Sequence, residues 1–310
     1  MADLYRIFSD EGLAGLLPYA TNPNSHGYHI LIDKIRAGIP LSFIRTQMEA
    51  PHLVVKNGTY QALFYTTPEK AQEQADNLLA QGYKPTIEDL PDGHGRQGAF
   101  LWLFDHGPTH ILLDDTISVP IDDLADDVPD YDGQPTEEHM LRNRALNGAT
   151  FYYLQQAAAG LGNLEAEITW TKAMYGGTFL IACINDVAND YPPLCINVHG
   201  RQNLLIYTDW RQVQMDHIDE TPSCITVNFE MLKNILDSYR GSVLLLNHAT
   251  CALALDMDLL EQIEKSATDT RSHEPTATSI FDREKKGAYS LGQVSEEDWD
   301  RVDPTPDFLK

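Results

Sequence analysis

The densest group of side chains that could carry out chemistry lies in the first half of the chain. It consists of Asp92, His94, Asp105, His106, His110, Asp114 and Asp115. Imidazole and carboxylate groups bind metal ions and transfer protons, so a metal-dependent or hydrolytic site is one interpretation. Gly107-Pro108 indicates a turn between His106 and His110, which excludes the i,i+4 ligand geometry of a helix. Solvated turn residues explain the group equally well, and we predict no metal or other cofactor.

Nucleophilic catalysis has weaker support. Ser223, Ser242, His199, His217 and His248 are of suitable types, but a Ser-His-Asp set is defined by geometry rather than by spacing. The chain has no Walker-type phosphate loop, no HExxH and no G-x-S-x-G motif. The sequence therefore favours a non-enzymatic protein, with a hydrolase or metal-dependent enzyme using the His/Asp-rich loops as the alternative.

A second candidate site follows predicted strands in the second half. The apolar run Leu204–Tyr207 is typical of a buried strand, and Asp209 after it has the residue type of a helix N-cap. Trp210, in the first turn of that helix, is expected to be partly exposed. The candidate binding residues here are Tyr207, Thr208, Asp209, Trp210, Asn247 and His248.

These residues belong to a longer pattern, Asn203–Lys265, that reads as strand, helix, strand, helix, hairpin and helix. The earlier stretch Gln61–Leu124 resembles it. In that stretch Asn57-Gly58 predicts a hairpin just upstream, and Thr67 followed by Pro68 predicts a helix start. Ala99–Phe104 is predicted to be a strand because it is a short apolar run.

The two halves match in order, which predicts an internal duplication. Ala-Leu-Phe-Tyr-Thr (62–66) matches Leu-Leu-Ile-Tyr-Thr (204–208), and each is followed by a helix capped at the same place, by Thr67 or Asp209. Each half mixes helices with hairpins, which favours sheets with helices packed on them. The predicted fold class is α+β, with two tandem mixed α/β lobes, each a largely antiparallel sheet.

The domain organisation follows from this repeat and from composition. We expect a first lobe at residues 1–125, an acidic linker at 126–135, a second lobe at 136–265 and a flexible acidic tail at 266–310. Trp299 lies among acidic residues of the tail and is a further candidate binding residue. The tail is predicted either to dock on a partner or to fold back on its own domain.

Composition restricts the possible partners and the compartment. The formal net charge of −24 repels phosphate backbones, so we predict no nucleic-acid partner and favour a protein partner. The apolar runs are too short to insert into a membrane. The N-terminus lacks signal-peptide features, and the four cysteines are expected to be free thiols, which favours the cytoplasm.

The second half resembles the SseB-like (enhanced serine sensitivity) family. The resemblance depends on the aromatic-Thr pair Tyr207-Thr208 before a helix and on Asn247 at the end of an apolar strand. It covers about residues 178–265, and residues 41–124 more weakly. The family pattern often has Pro where this chain has His248, and the first half has Asp114-Asp115 in place of Asn. The resemblance implies a small α/β fold and a binding role, with no reaction attached.

Overall fold

The computed structural model describes residues 12–92, 94–125, 137–184, 192–198, 201–217 and 222–268. These residues form two units, each with its own six-stranded sheet. Unit 1 comprises the described residues up to 125 together with Asn147–Leu161, and unit 2 comprises the remaining described residues.

Helices and strands alternate irregularly along the chain. Up to residue 125 they are α1 (Leu13–Leu16), α2 (His26–Arg36), β1 (Ser42–Arg45), β2 (Leu53–Lys56), β3 (Thr59–Tyr65), α3 (Pro68–Ala80), β4 (Thr86–Asp89), α4 (His94–Asp105), β5 (His110–Leu113) and β6 (Ile117–Pro120). After it they are α5 (Glu137–Met140), α6 (Arg144–Ala158), α7 (Leu164–Tyr175), β7 (Thr178–Cys183), β8 (Cys195–Val198), β9 (Arg201–Tyr207), α8 (Trp210–Asp216), β10 (Ser223–Asn228), α9 (Phe229–Ser238), β11 (Val243–Leu246), β12 (Leu253–Leu255) and α10 (Met257–Thr268).

The two sheets have the same strand order. In unit 1 it is β4-β1-β3-β5-β6 with β2 paired to β3, and in unit 2 it is β10-β7-β9-β11-β12 with β8 paired to β9. In each sheet the third and fifth strands, β3 with β5 and β9 with β11, run parallel. The other pairings are antiparallel. The predicted fold class, two α+β lobes with largely antiparallel sheets, is confirmed.

Side chains cap the helices at the predicted places. Thr67 accepts a hydrogen bond from the Lys70 N–H at 3.4 Å, and Asp209 accepts one from the Gln212 N–H at 3.2 Å. Tyr65 and Tyr207 end the third strand of their sheets, so the capped helices begin at equivalent positions. These caps satisfy N–H groups that the first turn of a helix leaves unpaired.

One predicted strand is wrong. Ala99–Phe104 lies within the helix α4, whose most enclosed side chains are Arg96, Phe100 and Leu103, each at most 2% exposed. Their spacing of four and three residues is that of one helix face. A short apolar run fits a buried helix as well as a strand, and here the helix forms.

Gly148 lies inside α6, and the helical stretch of residues 137–158 is interrupted before it, between α5 and α6. A side chain at Gly148 would overlap the ring of Tyr60 and lie 2.9 Å from the Gly107 carbonyl oxygen. The glycine therefore permits a close approach of two backbone segments within unit 1.

The division into units departs from the predicted lobe bounds in one segment. Asn147–Leu161 belongs to unit 1, although the sequence placed residues 136–265 in a second lobe. Gln155 shows the physical reason: its amide oxygen accepts from the Leu53 N–H at 2.9 Å, and its amide nitrogen donates to the Leu53 carbonyl oxygen. Gln155 is 2% exposed, so these bonds are enclosed within unit 1.

The cores place helices on the sheets as amphipathic patterning requires. In unit 1, Ala71, Ala75 and Leu78 of α3 pack on the sheet. Leu79, next to Leu78 in the sequence, is 62% exposed because a helical step of 100° turns its side chain away from the sheet. The four cysteines are free thiols as predicted, although only Cys183 and Cys251 are fully buried.

Candidate functional site

The ends of two parallel strands bring the predicted residues of unit 2 together. β9 ends at Tyr207, β11 ends at Leu246, and the two strands are neighbours in the sheet. Thr208–Trp210 and Asn247-His248 therefore leave the sheet at the same edge. This is the edge where open α/β sheets place their ligands.

Asn247 joins the two strand ends through its backbone and its side chain. Its N–H donates to the Ile206 carbonyl oxygen at 2.9 Å. Its amide oxygen accepts from the Thr208 N–H at 2.9 Å, and its amide nitrogen donates to the Thr208 hydroxyl at 3.0 Å. Both residues are 0% exposed. The backbone of Asn247 has φ +49, a left-handed conformation that asparagine tolerates better than most residues.

Asp209 continues this network into α8. One carboxylate oxygen accepts from the Gln212 N–H at 3.2 Å, and the other accepts from the Thr208 hydroxyl at 2.9 Å. Burial raises the pKa of Asp209, and the bonds from Thr208 and Gln212 and the charge of Arg142 oppose that rise. Asp209 therefore fastens the start of α8 and is 6% exposed.

Tyr207 connects the strand end to a buried acid. Its hydroxyl donates to one oxygen of Asp216 at 2.5 Å, while the other oxygen lies 2.8 Å from Nδ1 of His248. The Tyr207 hydroxyl also lies 3.0 Å from Nε2 of His217. The side chains of His248 and Asp216 are 8% and 4% exposed. The four polar groups thus form one connected cluster at this edge of the sheet.

Burial and the charges of this cluster shift its pKa values in opposite directions. Burial, and then the Asp216 carboxylate, raise the pKa of Tyr207 far above its usual range. Burial pushes the pKa of Asp216 upward, but the bond and charge of His248 together with Tyr207 and His217 leave it lowered. Burial lowers the pKa of His217. Asp216 is therefore an anion held by hydrogen bonds, and Tyr207 remains a neutral donor.

Asp216 is the member of this cluster that the sequence did not predict. It is the last residue of α8, where a negative charge is unfavourable against the helix dipole. That unfavourable position is the feature of the sequence that could have indicated a role for Asp216. Hydrogen bonds with Tyr207 at the end of β9 and with His248 in the loop after β11 offset the unfavourable interaction of Asp216 with the helix dipole.

Trp210 is more enclosed than its place in the first helical turn predicted. It is 8% exposed because the ring of His139 packs edge-on against it, with centroids 4.2 Å apart. Its indole nitrogen is buried with no hydrogen-bond partner among the described residues. The expectation of partial exposure is wrong. Trp299 lies outside the described residues.

Unit 1 has an equivalent arrangement with a different charge. Asp114 takes the place of Asn247, with φ +44, and accepts from the Thr66 N–H at 2.9 Å and the Thr66 hydroxyl at 2.6 Å. The Lys70 ammonium lies 2.7 Å from the same carboxylate. Asp115 accepts from the Tyr65 hydroxyl at 3.5 Å. In unit 1 a lysine therefore balances the charge that asparagine avoids in unit 2.

The His/Asp-rich residues of unit 1 have separate partners. His106 is buried, its Nδ1 lies 2.7 Å from the Trp102 carbonyl oxygen, and burial lowers its pKa to about 4. Nδ1 of His110 lies 2.8 Å from the Thr109 hydroxyl. The side chain of His94 lies outside the described residues. In the part of the chain that the structure describes, no three His, Cys, Asp or Glu side chains form a group that could hold a metal ion.

A recess of about 310 Å³ opens in unit 1 at the carboxyl end of β3. Its polar lining includes Ser42, Thr66, Asp89 and Asp92. The Ser42 hydroxyl donates to Asp89 at 2.8 Å, and Asp92 accepts from the Arg96 guanidinium at 3.3 Å. The carboxylates of this recess would favour a cationic group over an anionic one.

Comparisons with known proteins add little to this geometry. No family model and no curated protein matches the chain. Two solved structures are similar to it at 12% identity: Tic22 from Plasmodium falciparum, with a TM-score of 0.19, and Anabaena Tic22 (protein transport), with a TM-score of 0.18. Each comparison covers 69% of this chain and 90% of the other. Among the described helices, none combines the length and the apolar character needed to cross a membrane.

Proposed function

We propose that this chain is a non-enzymatic protein-interaction module of the SseB-like type that acts in the cytoplasm. Its partner is another protein, and neither nucleic acid nor a membrane takes that place. The resemblance around Tyr207-Thr208 and Asn247 supports the proposed family, and the −24 charge disfavours a phosphate backbone.

The observation that carries this proposal is the contrast between buried polar groups and exposed apolar ones in unit 2. Thr208, Asp209 and Asn247 are at most 6% exposed and bond to one another. By contrast, Met140 is 62% exposed and Met231 is 44% exposed. Polar groups used inside the fold are not presented to a substrate, whereas exposed large apolar side chains suit a protein partner.

Further support comes from the shared architecture of the units. Equal strand order, equal strand directions and equivalent helix caps favour descent from one duplicated unit. A duplicated binding fold can keep one copy of a motif while the other diverges, and Asp114 and Asn247 differ in this way. The free thiols favour a reducing compartment.

Affinity capture tests the proposal. The tagged full-length chain is incubated with native lysate at physiological salt, beside an unrelated protein of matched negative charge that reports nonspecific capture of basic proteins. We expect a protein partner that is retained by this chain and not by the control. Equal retention by both would contradict the interaction role.

Elemental analysis of the same purified chain tests the enzyme alternative. We expect no stoichiometric transition metal. About one zinc per chain, lost in a His106→Ala/His110→Ala variant, would instead favour a metal-dependent enzyme.

A further inference from the structure

The strand β10 forms one edge of the sheet in unit 2. It pairs with β7 along its whole length, from Ser223 opposite Cys183 to Asn228 opposite Thr178. Among the described residues no strand pairs with its other side. Every second residue of an edge strand points its N–H and C=O groups away from its neighbour, so β10 offers a hydrogen-bonding ladder to another extended chain.

The composition of β10 does nothing to prevent such pairing. Its six residues, Ser-Cys-Ile-Thr-Val-Asn, include no charge and no proline. Ile225, in the middle of the strand, is 38% exposed. Natural sheets protect their edges with charges, prolines, bulges or very short strands, because an unprotected edge invites another strand.

The other described strands that pair on one side only, β2, β4, β6, β8 and β12, are shorter, with three or four residues each. β4, the equivalent of β10 in unit 1, also has an ion pair between Glu88 and Arg45 at 2.5 Å, and β6 ends in Pro120. β10, with six residues, is therefore the longest of the described edges.

Apolar side chains flank the end of β10. Tyr175 is 40% exposed, and its ring centroid lies 5.4 Å from that of Phe229, the residue directly after the strand. Met231, two residues further, is 44% exposed. Together with the exposed Ile225, these apolar side chains suit contact with alternate side chains of an added strand.

Two acidic residues lie near β10. The Glu138 carboxylate, after burial and the Cys183 thiol, contributes to raising the pKa of the Cys224 thiol to about 12, so Glu138 lies close to the start of the strand. Glu230 follows in the first turn of α9. Cys224 and Ile225 face opposite sides of the sheet, so the acidic side and the apolar side of this edge differ.

We propose that β10 docks an extended segment of a partner protein in which basic and apolar side chains alternate. The segment extends the sheet by main-chain hydrogen bonds, with its apolar side chains beside Ile225 and its basic ones on the face of Cys224 and Glu138. A second copy of this chain fits less well, because each copy has a net charge of −24 and like charges repel. The inference rests on the proposed protein-binding function and names its surface.

Three synthetic peptides and the full-length chain test the proposal. The first alternates Lys and Val, the second alternates Glu and Val, and the third repeats the first with alternate backbone nitrogens methylated, which removes hydrogen-bond donors. We expect fluorescence anisotropy to show binding of the first peptide and at least about tenfold weaker binding of the other two, the ratio that ~1.4 kcal/mol produces.

A matched pair of variants locates the binding surface. Ile225→Lys places a charge on the edge and should weaken binding of the Lys/Val peptide by about tenfold. Leu79→Lys makes the same change at a 62% exposed position on α3 and should leave binding unchanged. Urea unfolding of both variants checks that they fold, and the methylated peptide tests the ladder without any substitution.

Several results would overturn the proposal. Equal binding of the methylated peptide, or of the peptide to Ile225→Lys, would remove the edge from the interaction. Concentration-dependent dimers that Ile225→Lys abolishes would make a second copy the occupant. Capture of the lysate partner by Ile225→Lys as strongly as by the native chain would leave the proposed function standing while refuting this surface. Failure of the native chain to capture any partner would instead refute the proposed function.

Discussion

Asp114 and Asn247 occupy equivalent positions after the fifth strand of their sheets, and both have positive φ. Each accepts a hydrogen bond from the backbone N–H of a threonine at 2.9 Å. The two differ in charge, which Lys70 balances in unit 1. The common requirement at this position is therefore an oxygen acceptor on a left-handed backbone, a requirement that Asp and Asn both meet.

Asn247→Ala should reduce the free energy of unfolding of unit 2 by about 2–4 kcal/mol. It leaves the buried Thr208 N–H without its acceptor, and it places alanine at a positive φ. Urea unfolding measures the effect. Asp114→Asn in unit 1 is the matched control. Its amide oxygen still accepts from the Thr66 N–H, its amide nitrogen can donate to the Thr66 hydroxyl as that of Asn247 does to Thr208, and the pair with the half-exposed Lys70 is lost, so we expect less than about 1 kcal/mol. Equal effects of the two changes would contradict the structural role of the acceptor.

Two buried histidines should make unit 1 sensitive to moderate acidity. Burial lowers the pKa values of His52 and His106 to about 4. Their folded-state values lie below the unfolded value of about 6.5, so their stabilising contribution is complete above pH 6.5 and is lost as the pH falls towards 4. The loss by pH 4 is about 3 kcal/mol for each histidine.

Proton NMR of the imidazoles measures this directly. We expect His52 and His106 to stay neutral between pH 7 and 5, above the range in which carboxylates titrate. His106→Phe, which keeps a ring between Trp102 and Phe151, should reduce the dependence of the unfolding free energy on pH. Titration of either imidazole near pH 6.5 would show that it is not enclosed.

At the scale of elements, the sequence predicted most of the architecture because caps and turns have local signals. Asn57-Gly58, both with positive φ, formed the predicted hairpin, and Thr67 and Asp209 capped the predicted helices. α4 was the exception, because periodicity over six apolar residues does not separate strand from helix. Because of this error the predicted repeat also lacked one element. α4 lies between β4 and β5, and α9 lies between the equivalent strands β10 and β11.

The candidate site was only partly predictable for a different reason. Tyr207, Thr208 and Asp209 are contiguous, and Asn247 directly follows β11. Because β11 runs parallel to β9, the two strand ends place these four residues at the same edge of the sheet. Asp216 enters through side-chain contacts between separate elements, which no local pattern records. Burial of Trp210 likewise depends on His139, which lies far away in the sequence.

Two glycines inside helices test the packing of unit 1. Gly148→Ala should destabilise the unit by about 1–3 kcal/mol, because the added methyl group overlaps the Tyr60 ring and approaches Gly107. Gly98→Ala in α4 meets no atom within 4 Å and should stabilise the unit by about 0.5–1 kcal/mol through its better helix propensity. Urea titrations that give both changes the same sign would contradict either the close approach at Gly148 or the helix at Gly98.

At the scale of the whole molecule, the tail is the remaining sequence prediction to test. The residues beyond 268, with Trp299, lie outside the described chain. α10, the last described helix, is held by the buried Leu260 and Ile263. A chain ending at Thr268 should therefore keep its melting temperature to within about 2 °C, less than the shift that 1 kcal/mol gives a domain of such size.

Partner capture is the second readout of the same deletion. We expect the shortened chain to retain less of the lysate partner, because Trp299 among acidic residues suits a linear docking segment. A large fall in melting temperature would show instead that Trp299 and Phe308 pack on the chain's own surface.

The return of Asn147–Leu161 to unit 1 has a consequence for synthesis on the ribosome. Domains generally fold as they emerge, from the N-terminus onward. Here the nascent chain through residue 125 lacks Gln155, whose side chain completes the hydrogen bonding of Leu53 in β2. Unit 1 therefore cannot reach its final state until residue 161 has cleared the exit tunnel, by which time residues of unit 2 have already been made. A stop codon in the acidic linker would release all six strands of unit 1 without the helix that carries Gln155, so the hydrogen bonds of Leu53 would stay incomplete.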